Sequence, residues 1–473
     1  MRFSRLPLLG VLAAGLIAPG AAMAQEVNPW AVPEEEPAPA DDLAVIAAPN
    51  GVAPEAATAE PADNQSQSRV QAEPAVDTID PLADVVQAPL RKTSPDVDPY
   101  EALGIRAGSF VLYPSLETTA GYTTNGDDVA GGSETALGAV TPELRAVSDW
   151  SRHEATFLMR GTYETYADDS VQDKPTADIE ATLRLDHSEE WTTDLAAAYH
   201  YREQEISDPN TPGGLDEPPP VHEFVTSADM RGRFGRTVLE WGALVDRTIY
   251  EDGTSGGMTV DQSDRDETEI GGRLRYGFAV TDVTTPFVEA RVAREQYDQK
   301  VDNNGFERSA WIYGLRGGIS YQAWPVLTAE VAVGYARAEP DDSALSSLET
   351  LTFDGWLTWM PTELTTVKFN AYTDFSPTSD PASSGSVVHD ASVDVAYDWR
   401  ENVTLSALAG VNDERFKGTD KEETTYRLGA GATWKLNRTM HLTGGYLHEW
   451  LDSSEPGEDY SADSIRLTLR LQR

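Results

Sequence analysis

Any chemistry in this chain must come from its seven histidines and its wealth of carboxylates, because it has no cysteine. The histidines are His153, His187, His200, His222, His389, His441 and His448. A hydrolytic zinc site would need two of them one helical turn apart with a glutamate between, and no His-Glu-x-x-His pattern occurs. His441 and His448 share one alternating segment but are seven residues apart, so they lie on opposite faces of a strand and suit interfacial or lumenal positions. No Gly-x-Ser-x-Gly elbow offers a serine nucleophile. The stretch from Asp261 to Glu269 crowds Asp261, Asp264, Asp266, Glu267 and Glu269, which could ligate calcium through oxygen. It lacks the glycine and the ligand spacing of an EF-hand loop and reads as a solvated acidic loop. The sequence therefore predicts no catalytic, cofactor-binding or metal-binding residues.

The elements that carry these residues are strands. In Ile179 to Leu185, the apolar Ile179, Ala181, Leu183 and Leu185 oppose Glu180, Thr182 and Arg184. In Leu327 to Arg337, Leu327, Val331, Val333 and Tyr335 share a face opposite Thr328 and Glu330. The chain's last segment sets Ile465, Leu467, Leu469 and Leu471 against Arg466, Thr468, Arg470 and Gln472. A strict period of two means a strand with one apolar and one wet face. Such segments, about 10 to 15 residues each, recur from about Ser109 to the end.

Two kinds of connection alternate between them. Short turns fall near Ser151, Glu189, Gly235, Thr281, Trp324, Pro361, Arg400 and Asn437. Between these come longer stretches rich in Gly, Asp, Pro and Ser, such as those after Ile206, Tyr250, Tyr297 and Asp452. Eight turns with a strand at either end imply about 18 strands in the layout of an outer-membrane barrel. In lipid every backbone polar group needs a partner, so a sheet there must close on itself. The predicted fold is all-β: a transmembrane antiparallel up-and-down β-barrel of about 18 strands over residues 99–473, closed by pairing the last strand with one around Phe110 to Tyr122. Aromatic girdles are expected at both interfaces. Trp150, Trp191, Trp324, Trp359, Trp399 and Trp434 lie by the short turns; Tyr166, Tyr250, Tyr297, Tyr335, Phe375, Phe416 and Trp450 lie by the long loops. Parity points Glu180, Arg184, Glu330, Asp354 and Lys368 inward, with Asp374, Asp394, Asp398, Arg466 and Arg470. These ten are the candidate pore-lining residues, and they would set pore charge.

The first 24 residues read as a secretory signal: Arg2 and Arg5, an apolar run from Leu6 to Ala18, then Ala22-Met23-Ala24. Residues 25–98 are rich in Ala, Pro, Glu and Asp and poor in aromatics, and read as a disordered acidic periplasmic segment. The net charge of -43 argues against nucleic acid as a partner, since phosphate backbones select basic surfaces. Beyond the leader no run of about 18 apolar residues exists for a spanning helix.

The entry to the first strand carries Asp98-Pro99-Tyr100, then Leu103-Gly104-Ile105-Arg106-Ala107-Gly108-Ser109-Phe110, Pro114-Ser115-Leu116, and Gly121-Tyr122 ahead of Asn125. This resembles the opening signature of the putative β-barrel porin 2 family of bacterial outer-membrane proteins. The resemblance implies an outer-membrane location, assembly by the barrel-assembly machinery, and kinship with the barrels that accompany exopolysaccharide export. There the barrel is the exit channel above a periplasmic export protein. It transfers no catalytic residue. Outer-membrane lipid is the expected surrounding, with both termini in the periplasm. The rival expectations are a diffusion porin with cation preference and a non-conducting structural or adhesive barrel.

Overall fold

The computed structural model describes residues 99–473, apart from 209, 213, 216–218, 379, 381 and 382. The expected signal and acidic segment lie outside the described residues. Eighteen antiparallel strands of 12 to 16 residues, from Phe110–Thr123 to Tyr460–Gln472, form one continuous sheet. The first strand pairs with the last, from Ser115 opposite Gln472 to Thr123 opposite Ser464, and closes the barrel. Closure leaves no unpaired edge, which strands of this length and amphipathicity require. Outside the ring, Ile105–Ala107 folds back on the start of the first strand and Gly253–Ser255 pairs with Met258–Val260 within a loop. A 3-10 turn at Ser263–Arg265 is the only helix among the described residues.

The two ends of the barrel differ as the turn pattern demands. At one end the strands are joined by eight connections of two to five residues, as between Thr237–Tyr250 and its predecessor Pro220–Phe234, where Gly235 (φ +61°) makes a two-residue turn. At the other end the connections run from five to 16 residues. We refer to these as the turn end and the loop end.

The outer face is apolar. Ile270, Leu274, Leu315, Val333, Leu351 and Ile465 are each at least 58% exposed, a band too large and continuous for a protein in water. At the turn end Trp150, Trp324, Trp359, Trp399 and Trp434 stand exposed outside, and Trp191 packs edge-on against Phe234 and Trp241.

The loop-end girdle keeps only two of the residues expected there. Tyr335 is exposed there and Trp450 stacks on Tyr426 at 5.0 Å. Tyr166, Tyr250, Tyr297 and Phe416 instead face the interior. Tyr166 donates to Glu164, Arg265 lies over the Tyr250 ring, and Tyr297 and Phe416 are buried. Phe375 packs against an inner cluster of Ala293, Ile312, Ala338 and Leu348. The first four share parity with inward neighbours on their own strands (Glu164, Asp246, Glu295 and Glu414), so alternation carries them inside.

Candidate functional site: the barrel interior

On a closed barrel, side chains from strands separated by two others can meet only on the concave side. Arg275, on Glu267–Phe278, reaches Glu330 on Leu327–Pro340 at 2.9 Å. Arg466 on the last strand reaches Glu164 on the third, at 2.7 and 3.1 Å. These chords place the polar parity on the inside.

The interior charges form two networks. One spans the seam: Arg470 bonds Glu117 at 2.7 Å and Glu143 at 3.0 Å, and Arg160 lies within 4 Å of both carboxylates. Thr119 and Thr468 exchange a hydrogen bond directly across the closing pair. The other is a belt on the opposite wall. Arg273 bonds Asp229 at 2.6 Å, Arg275 bonds Glu289 at 2.6 Å and Glu330, and Arg316 bonds Glu289 and Asp354. Guanidinium forks suit this work because one group can serve two carboxylates at once.

Glycine makes room for several of the chords. Gly242 lies between Arg273 and Asp229, and a Cβ there would come within 2.2 Å of the Asp229 carboxylate. Gly334 lies beside Arg316, and its Cβ would meet the arginine Cβ at 2.6 Å. On the strand between Arg427 and Asp390, which pair at 3.3 Å, Gly410 stands opposite Arg427 and Asn412 opposite Asp390. The strand patterning did not reveal this device. Its signal is a glycine on the polar parity of a strand flanked by an arginine strand and a carboxylate strand.

The remaining sequence-predicted residues take varied positions. Arg184 bonds Asp186 on its own strand, and Asp398 accepts from Thr404 at 2.7 Å. Lys368 stands opposite Asp394 in the ladder. Glu180 lies on the face of Asp178, which bonds His200 at 2.8 Å. Asp374 accepts from the Phe375 amide. Six of the ten, Arg184, Glu330, Asp354, Asp398, Arg466 and Arg470, are thus committed to partners in the wall. Trp356 and Tyr372 share the inner face, opposite Glu330 and Asp390 respectively.

The histidines split between the faces. His441 approaches Gln472 on the inside, whereas His448 bonds Asp463 beside Trp450 on the outside. In the acidic loop, Asp261 accepts from Ser263, Asp264 from the Asn303 amide, and Asp266 from the Tyr250 amide. Its carboxylates hold the loop together.

The loop end of the interior is filled. Inward residues there, including Leu137, Val221, Val225, Leu408, Leu447 and Leu451, are less than 10% exposed. The loop residues Val171, Pro219 and Ser383 are buried as well. Lys174, at the start of the strand Lys174–Asp186, joins Asp128 at 3.2 Å and Glu205 at 2.8 Å, tying two connections to that strand. Burial pushes the Asp128 carboxyl up to about 7 against the opposing pull of Lys174.

A closed barrel of this kind, with an apolar belt outside and a charged wall within, is a porin-like membrane β-barrel. Residues 98–473 match the family described as Putative beta-barrel porin 2, and the chain belongs to that family. No curated protein matches the chain. Among solved structures it is similar to three Pseudomonas aeruginosa proteins. OccK2 (OpdF) in complex with glucuronate is 10% identical, with 77% of this chain and 98% of that one covered and a TM-score of 0.39. The outer membrane protein opdK is 13% identical over 76% and 98%, at 0.38. A mutant ferric enterobactin receptor (PfeA) is 8% identical over 76% and 80%, at 0.38.

Proposed function

We propose that this protein is an outer-membrane channel, rather than an enzyme, and serves as the exit pore for a secreted polysaccharide. Its family membership over the whole barrel carries the reading. The inner wall suits it: paired charges and hydroxyls can exchange hydrogen bonds with sugar hydroxyls, and Trp356 and Tyr372 offer rings on which a sugar can stack. The ten parity-selected residues act as wall charges, most of them neutralised by partners, which keeps a neutral or weakly charged polymer from sticking. In this reading the loops face outward, both termini are periplasmic, the barrel-assembly machinery inserts the chain, and a periplasmic export protein docks at the turn end. Deleting the gene should abolish extracellular polysaccharide while its synthesis continues; undiminished secretion would refute export.

A second reading is a cation-preferring diffusion channel. It is favoured by Glu164, Asp178, Glu223, Asp246, Glu295 and Glu449, inward carboxylates of the loop half, where acids exceed bases. A steady cation-selective current in planar bilayers with no secretion defect would support it. A third reading, a non-conducting structural barrel, is favoured by the filled loop end, and absence of current under all conditions would support it.

A further inference from the structure

We propose that the wall between the twelfth and thirteenth barrel strands is a lateral portal, through which the acyl chain of an amphiphile passes between the lumen and the surrounding lipid. The portal needs only that the barrel sit in a bilayer, whether or not it conducts. The two strands are Leu348–Thr362 and Thr365–Ser376. From the turn end their ladder runs from Thr362 opposite Thr365, through Trp359 opposite Val367, to Gly355 opposite Ala371. Among the described residues it stops there. Each strand keeps its other neighbour further towards the loop end. Leu348 to Asp354 pair with Ala338 to Ala332, and Tyr372 to Ser376 pair with Asp390 to Ser386. The two edges that face each other without a ladder run for roughly 16 Å, at about 3.3 Å per residue.

A side chain bridges this seam. The Thr373 hydroxyl accepts from the Phe353 amide at 3.1 Å and lies 3.4 Å from the Phe353 carbonyl, with His389 Nδ1 at 3.0 Å. Hydrocarbon cannot satisfy an open strand edge, so a membrane sheet closes through its backbone. A hydroxyl bridge closes it in a different way: it releases by rotation about one side-chain bond, which a backbone ladder cannot do.

The seam is apolar from one face of the wall to the other. On one flank Leu351 and Phe353 stand towards lipid, 77% and 42% exposed. On the other flank Phe375 lies opposite Val387, on the same face as the lipid-exposed Val393 and Tyr397. Phe375 and Val387 nevertheless pack against the inner cluster of Ala293, Ile312, Ala338 and Leu348. Apolar side chains of the outer face therefore meet apolar side chains of the inner face here. At the inner end, Trp356 stands one pair below the last rung and Tyr372 one residue beyond it. An acyl chain finds apolar contact along the seam while a hydroxyl-bearing head group stays with these rings in the lumen. A free sugar or an ion has no such path, because neither leaves water for an apolar seam without a large desolvation cost.

Lipid contact at inward-facing positions tests the portal. Asn370 lies opposite Trp356, and Asn412 lies on Val403–Phe416, which is laddered on both sides. Each is changed to Cys in the full chain, which has no other cysteine, and labelled with a small fluorophore. The protein is reconstituted in phosphatidylcholine vesicles whose acyl chains carry bromine, a contact quencher, and heat-modifiable gel migration checks folding. We expect quenching at Asn370 and little at Asn412. Thr373→Val removes the hydroxyl with little change of shape and should raise the quenched fraction at Asn370 roughly five-fold, the equivalent of one net hydrogen bond. Thr373→Ser keeps the hydroxyl and should match the native chain. Quenching at neither position overturns the portal and leaves the channel reading standing. Equal quenching at both positions means that lipid enters by the mouth, and overturns it as well. No change on Thr373→Val overturns the bridge and with it the seam. If that variant does not fold, the two probes in the otherwise native chain still decide.

Discussion

The interior side chains obey a simple geometric economy. Where Gly242 faces inward, Arg273 reaches past the neighbouring strand to Asp229 beyond it. Gly242→Ala tests this. Its Cβ would displace Asp229 from Arg273, and we expect a loss of about 1–3 kcal/mol, the cost of leaving a part-buried charged group without its partner. Urea unfolding in detergent micelles, followed by tryptophan fluorescence, would measure it; an unchanged midpoint would show the pair contributes nothing. Arg466→Ala is the harsher case, because Glu164 is 6% exposed and loses both of its guanidinium contacts. Removing one partner of a buried pair costs about 3–5 kcal/mol, so this variant should unfold at markedly lower urea than Arg184→Ala, whose partner Asp186 is more exposed. Parity alone placed Arg466 on the inner face. Its partner could not be read, since Glu164 is 302 residues away and meets it only through a chord across the curved wall.

At the scale of the element, each strand is a ruler with two faces, and substitutions should register which face they touch. Leu274→Arg puts a charge on the lipid side near mid-strand and should cost about 2–4 kcal/mol, whereas Trp434→Arg, at the turn-end girdle, should cost about 1 or less. Folding efficiency into lipid vesicles would compare them, and equal penalties would contradict the assignment of the apolar band. The loops follow another logic. Asp128 sits in the 124–134 connection with its carboxyl raised to about 7, so the docked loop holds a proton that the undocked loop releases near 3.8. Stabilisation from this group is complete below that lower value and is lost as pH rises to about 7. Amide exchange at Gly126 and Val129, corrected for its intrinsic pH dependence, should therefore be faster at pH 8 than at pH 5. The reverse order would show that attraction to Lys174 outweighs desolvation. Strand boundaries were legible to within a few residues, since the turns at 363–364, 401–402 and 438–439 begin one or two positions beyond Pro361, Arg400 and Asn437. The inward course of Tyr297 and Phe416 was also implicit in parity, but proximity to a loop suggested a girdle instead.

For the whole molecule, the balance of charge along the interior governs what conduction would look like. The belt and seam are paired, while the loop half keeps acids in excess, so an opened channel should prefer potassium to chloride. Reversal potentials under a salt gradient would show it, and the preference should weaken at high salt, where charges are screened over a few ångströms. Anion preference would contradict the interior assignment. The amino-acid sequence by itself determined the strands, their two faces, the alternation of turns and loops and the count of 18, because a period of two and a turn are local properties that each segment carries alone. Only the tertiary structure decided which charges pair, where glycine yields space, and that the loop end is filled. Those depend on register around a closed ring and on loops folding inward, which bring residues hundreds of positions apart into contact without leaving a local trace.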